Sequence, residues 1–139
     1  MINATIEKFG YPATLIRDYR HWVLLLRPAQ VTAGSLILAS KSDATAYGDL
    51  PVEAFVEQGT IVAELEQMLR TLIKMDRINY LMLMMVDPHV HFHIFPRYDG
   101  ARSLAGLTLT DHGWPGPPDL KSGVELDAAA IGQAVEAFR

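Results

Sequence analysis

Val86-Asp87-Pro88-His89-Val90-His91-Phe92-His93-Ile94-Phe95-Pro96-Arg97-Tyr98 places three of the chain's five histidines at alternate positions. On a β-strand side chains repeat every two residues, so His89, His91 and His93 fall on one face and Val90, Phe92 and Ile94 on the other. The Val, Phe and Ile content favours a strand, and Pro88 and Pro96 bound it. Neighbouring imidazoles on one face stand about 6.5–7 Å apart along the strand, within reach of a single small anion. The expectation is one buried face and one chemical face.

The residues alone leave three readings open. A solvated strand face can carry histidines. A metal site would need a further ligand from His21, His112 or Asp87, since catalytic zinc sites complete their shell with another His or carboxylate. The third reading is nucleophilic attack at phosphorus, because a neutral imidazole titrating near 6.5 needs no separate base at neutral pH. Flanking imidazoles would then donate hydrogen bonds to the phosphate oxygens and the leaving group.

His89-Val90-His91-Phe92-His93-Ile94-Phe95 resembles the His-φ-His-φ-His-φ-φ signature of the histidine-triad family of nucleotide hydrolases and transferases. The stretch Gln30-Val31-Thr32-Ala33-Gly34-Ser35-Leu36-Ile37-Leu38 is similar to the family's apolar-Pro-Gly-His-apolar segment entering a strand. Together the two matches cover most of residues 9–98.

The resemblance implies a homodimeric nucleotide hydrolase acting at the α-phosphate through a covalent nucleotidyl-histidine intermediate. His91 would be the nucleophile, His93 would contact the scissile phosphate or leaving oxygen, and His89 would hold the hydrogen-bonded network. Histidine at the third triad position is as in the hydrolase branches, whose substrates are of the dinucleoside polyphosphate or nucleoside phosphoramidate class. No cofactor is required in this reading, although Mg²⁺ accompanies polyphosphate substrates. A metal-dependent hydrolase using the same histidines and a non-catalytic nucleotide-binding protein are the alternatives.

The nucleotide-binding positions implied by the resemblance are Arg27, Leu25 and Ser35. Two of them depart from the family pattern. Ser35 stands where a histidine often supports the triad, and a hydroxyl cannot carry the same proton chemistry. Arg27 stands where an Asp or Asn often contacts the ribose hydroxyls, and a guanidinium donates but cannot accept. That exchange favours an additional phosphate or a different sugar.

Length and composition fit this frame. The 139 residues are one domain's worth, half of them hydrophobic, with a mean hydropathy of +0.13, ample for a core. Twelve basic and 16 acidic residues give a net charge of −4 in no long block, which excludes an electrostatic footprint for duplex nucleic acid. The absence of cysteine excludes disulfides, thiolate nucleophiles and Cys-ligated zinc. No targeting segment and no 18-residue apolar run is evident, so no membrane partner and a cytoplasmic address are expected.

In chain order, residues 14–19, 21–27 and 35–41 read as strands, the last two as antiparallel neighbours across a loop. His21 reads as a surface turn residue. From Pro51 to Met75 apolar residues recur at helical spacing, with Asp49 as the expected N-cap and an end near Met75-Asp76. The stripe is broad, including Phe55, Val56, Ile61, Val62, Leu65, Met68, Leu69, Leu72 and Ile73, and part of it is expected to face a second subunit. Residues 79–86 read as a central strand apolar on both faces, their methionines filling the core. Residues 99–124 read as irregular, with Trp114 stacking on a base, closing a subunit interface or packing in its loop, and residues 126–138 as a closing helix capped by Asp127. The expected fold is α+β: a single domain with an antiparallel sheet of about five strands, one long helix on the sheet and a short C-terminal helix.

Overall fold

The computed structural model describes residues 1–139. Five strands form one antiparallel sheet: β1 (Leu15–Asp18), β2 (Trp22–Leu26), β4 (Leu36–Ser40), β6 (His91–Arg97) and β5 (Arg77–Leu81), in that spatial order. Two short strands, β3 (Ala29–Gln30) and β9 (Val124–Glu125), pair beside it, and β7 (Ala101–Leu104) and β8 (Leu107–Thr110) make a hairpin. Helices α1 (Ala4–Lys8), α2 (Val52–Leu72) and α3 (Ala128–Phe138) complete the chain. No helix is long and apolar enough to cross a membrane.

Alternation along the strands builds two cores. Leu24, Leu26, Leu36, Leu38 and Ile94 face α2, which buries Ala54, Ile61, Leu65, Leu69 and Ile73 against them. Burying each such side chain fully is worth about 1.5–3 kcal/mol, and Trp22 adds a hydrogen bond from Nε1 to the Ala54 carbonyl at 2.8 Å. On the opposite face Val23, Leu25, Ile37 and Ala39 are covered by Ile6 of α1. The triad face is therefore not left to solvent, as the alternation alone implied.

α2 begins at Val52 with Pro51, not Asp49, as N-cap, because a short turn at Tyr47–Asp49 takes up Asp49. The helix ends at Leu72, earlier than its apolar pattern implied. Ile73 stays buried as the C-cap, and Lys74 turns the chain away with φ at 57°. α3 follows the expected form, Asp127 accepting a hydrogen bond from the Ala130 amide at 2.8 Å.

Three further expectations are corrected. β5 lies at the sheet edge, not its centre, and stops at Leu81, its last pair being Leu81 with His93. The chain then departs through Met84 in a left-handed conformation, leaving Leu83, Met85 and Val86 exposed; of the three methionines in 79–86, Met82 and Met84 reach the core and Met85 does not. Residues 101–110 are a hairpin, not irregular chain. Its turn residues Ala105 and Gly106 both have positive φ, the geometry that matches strand twist, and Leu104 and Leu109 are buried below it. Pro96 lies inside β6 instead of ending it, paired with Ile78 where the β4 ladder has already finished at Leu36 and Ile94.

The 111–119 loop is anchored by a buried ion pair. Arg97 donates from Nε and Nη2 to the two carboxylate oxygens of Asp111 at 2.8 and 3.0 Å and from Nη1 to Asn79 at 2.7 Å. Gly113 is required there, since a Cβ would lie 2.1 Å from the Pro117 carbonyl oxygen. Trp114 is half-buried in this loop.

Candidate functional site

β6 carries two of the three histidines. His91 and His93 sit opposite Ala39 and Ile37 of β4, which places both imidazoles on the α1 side of the sheet. Their ring centroids are 5.1 Å apart at 71°. Phe9, just beyond α1, packs on both rings at 5.7 and 5.6 Å.

His89 is not on the strand. The ladder with β4 ends at His91, Pro88 has no N–H to extend it, and the His89 Nδ1 lies 3.2 Å from the Asp43 carbonyl oxygen. Its backbone reaches the site instead, because the His89 carbonyl oxygen accepts a hydrogen bond from His91 Nδ1 at 2.7 Å. A carbonyl can only accept, so Nδ1 of His91 carries the proton and Nε2 of the neutral ring holds the free lone pair. Nothing in the chain hydrogen-bonds that Nε2. The residue as a whole is 2% exposed beneath Phe9.

His93 is more open and borders a cleft of about 440 Å³ with Lys8, Phe9, Arg27, Asp87 and Glu125. Burial, then the positive charge of Arg27, holds its imidazole down at about 4, well below the usual 6.5. Arg27 donates from Nε to His93 Nδ1 at 3.2 Å and from Nη1 to the Ala29 carbonyl at 2.6 Å. Its guanidinium carbon lies 5.5 Å from the Phe95 ring centroid. β9 brings Glu125 opposite Ala29, and this carboxylate partly offsets the lowering of the Arg27 pKa caused by burial.

Of the three residues the resemblance implied as nucleotide contacts, Arg27 lines the cleft and the other two do not. Leu25 is fully buried beneath Ile6 in the smaller core. The Ser35 hydroxyl is spent within its own turn, donating to the Thr32 carbonyl at 2.7 Å and accepting from the Thr32 amide at 3.0 Å. Ser35 acts on the site through backbone, its carbonyl accepting from the Arg27 amide at 2.9 Å. Gln30, which sequence reading passed over, ties this turn together by donating to the Arg27 and Ser35 carbonyls and accepting from the Gly34 amide.

Lys8, Phe9 and Glu125 were also missed. The signal for the first two was Ile2, Ile6 and Phe9 at helical spacing; nothing in the sequence placed Glu125. His21 lies in the turn just before β2, with its amide on Glu57 of α2 at 2.7 Å and its Nε2 buried without a partner. His112 is in an exposed loop. No three His, Asp or Glu side chains converge as a ligand set for a metal ion.

The sequence matches no protein-family model and no curated protein. Solved structures do share its fold. A histidine triad protein from Bradyrhizobium japonicum superposes with a TM-score of 0.74 at 19% identity, over 99% of this chain and 94% of the other. A hypothetical histidine triad nucleotide-binding protein from Sulfolobus tokodaii gives 0.68 at 15%, over 90% and 80%. A Zn-bound histidine triad family protein from Mycobacterium smegmatis gives 0.63 at 17%, over 96% and 88%. At these identities the likeness shows a common fold.

Proposed function

We propose that this histidine-triad fold serves a member of that family: a cytoplasmic enzyme that hydrolyses a nucleotide at its α-phosphate, with His91 as the nucleophile. The observation that carries this reading is the His91 tautomer. A proton held on Nδ1 by the His89 carbonyl leaves Nε2 as the attacking lone pair, which is what nucleophilic catalysis requires of imidazole. His93 lies beside it at the cleft wall, where it would donate to the phosphate or leaving oxygen.

In the first half-reaction His91 Nε2 forms a bond to phosphorus as the bond to the leaving group breaks, and the leaving group departs with its electron pair. Water then attacks the nucleotidyl-histidine, returning His91 and releasing the mononucleotide. No resident metal is needed for either step; Mg²⁺ would accompany a polyphosphate substrate, held by its phosphates. Dinucleoside polyphosphates and nucleoside phosphoramidates are the substrate classes.

A homodimer is part of the same reading. β5 offers an unpaired edge, and Val52 and Val56 near the start of α2 are 72% and 70% exposed. Sedimentation should give twice the 15.4 kDa chain mass; a monomer at micromolar concentration removes this element.

The deciding experiment incubates the protein with both substrate classes carrying radioactive α-phosphate. Mononucleotide product and acid-labile label on His91 are expected. Tight binding with neither product nor label would make the chain a nucleotide-binding protein instead.

A further inference from the structure

The environment of His93 is set by a residue the triad signature does not contain. Arginine Nε can only donate, and an imidazolium has no lone pair with which to accept. The 3.2 Å contact from Arg27 Nε to His93 Nδ1 therefore requires a bare Nδ1, which in a neutral ring leaves the proton on Nε2. We propose that Arg27 is a positioning residue that locks His93 in the Nε2–H tautomer, opposite to that of His91.

Arg27 is held for this task from several sides. Its amide donates to the Ser35 carbonyl at 2.9 Å, its carbonyl accepts from Gln30 at 2.7 Å, and Nη1 is fixed on Ala29 at 2.6 Å. With Phe95 stacked beneath both His93 and the guanidinium, the fork has little freedom to turn away. The charged and titratable groups around His93 are Arg27 beyond the end of β2, His91 on β6, Lys8 on α1, Asp87 in the loop before β6 and Glu125 on β9. Arg27, His91 and Lys8 oppose a proton on Nδ1, while Asp87 favours one.

The pair is then asymmetric before any substrate arrives. His91 presents a lone pair from Nε2 and His93 presents an N–H from Nε2, each fixed by a partner on its Nδ1. His93 thus serves as a neutral hydrogen-bond donor across the physiological range. Its use toward phosphate rests on the function proposed above; the lock itself does not.

The test is ¹⁵N-detected NMR of the imidazoles in the intact protein, with His93 assigned by comparison with His93→Gln. In wild type, His93 Nδ1 should resonate as an unprotonated nitrogen and Nε2 as a protonated one, with His91 the reverse. Arg27→Met should release His93 into a tautomer mixture and raise its titration midpoint by at least one pH unit. Arg27→Lys keeps the charge but not the Nε donor, so it should release the tautomer while leaving most of the depressed titration. A protonated His93 Nδ1 in wild type, or a tautomer unchanged in both variants, overturns the proposal. If either variant fails to fold, the wild-type spectrum still decides. A locked His93 in a protein that forms no label on His91 would refute the catalytic reading and leave the lock standing.

Discussion

Lys8 at the end of α1 and Asp87 in the loop ahead of β6 form an ion pair at 2.8 Å that fastens the N-terminal cover across the triad strand. The lysine half is largely exposed, and exposed pairs contribute about 0–1 kcal/mol. Its effect should therefore appear in access more than in stability. Lys8→Met is expected to leave the denaturation midpoint nearly unchanged while speeding carbethoxylation of His91, mapped by mass spectrometry. Equal rates in the two proteins would show that the pair does not govern the cover.

The first triad member should differ sharply from the middle one. If His91 is the nucleophile proposed above, His91→Asn is expected to abolish turnover, since the atom that would bond phosphorus is gone. His89→Ala keeps the carbonyl that fixes His91 and should retain activity within about tenfold, or roughly 1.4 kcal/mol. A loss in His89→Ala as complete as in His91→Asn would assign the His89 imidazole a direct part. Steady-state rates on the best substrate decide between them.

Asp111 is the position where a small change should cost most stability. Arg97 and Asp111 have side-chain exposures of 4% and 1%, and removing one member of a buried pair strands the other at a cost of about 3–5 kcal/mol. Asp111→Ala should fall in that range by urea denaturation. A double variant, Arg97→Met with Asp111→Leu, should recover much of the loss, because no charge is then left unpaired.

The depressed titration of His93 predicts an acid-side loss of stability. In the unfolded chain the imidazole titrates near 6.5 and in the fold near 4. Between these values the unfolded state binds the additional proton, so stability falls as pH falls through that window. Thermal midpoints at pH 7 and pH 4.5 should differ more in wild type than in His93→Gln. An identical difference in the two would remove His93 as a contributor.

What the sequence disclosed follows from the range of the forces involved. The apolar runs Trp22–Leu26 and Leu36–Ala39, the alternation in His91–Ile94, and the helical spacing of Ile61, Leu65 and Leu69 are local signals, and they placed the sheet and α2. The hairpin 101–110 escaped because Ala105-Gly106 is not a strong turn pair, although Leu107-Thr108-Leu109-Thr110 alternates. The site was half legible. His91 and His93 follow from periodicity, but the displacement of His89 depends on where the β4 ladder ends. The burial of Leu25 depends on a helix 19 residues away in sequence, reckoned from Ile6, and no local pattern reports such contacts.

α1 has only five residues, far below the roughly 12–15 at which an isolated helix becomes even marginal in water. It is helical because it is docked, by Asn3 bonding the Ser40 and Ser42 carbonyls at 2.9 Å each and by the fully buried Ile6. Undocking therefore melts it, and the same event uncovers Phe9 and the imidazoles beneath. The amide of Phe9, the residue that caps this short helix by donating to the Thr5 carbonyl at 3.2 Å, is expected to exchange with solvent when that happens. A single deuterium-exchange rate at Phe9 thus times the exposure of His91, making this backbone proton a built-in clock for the uncovering of the imidazoles.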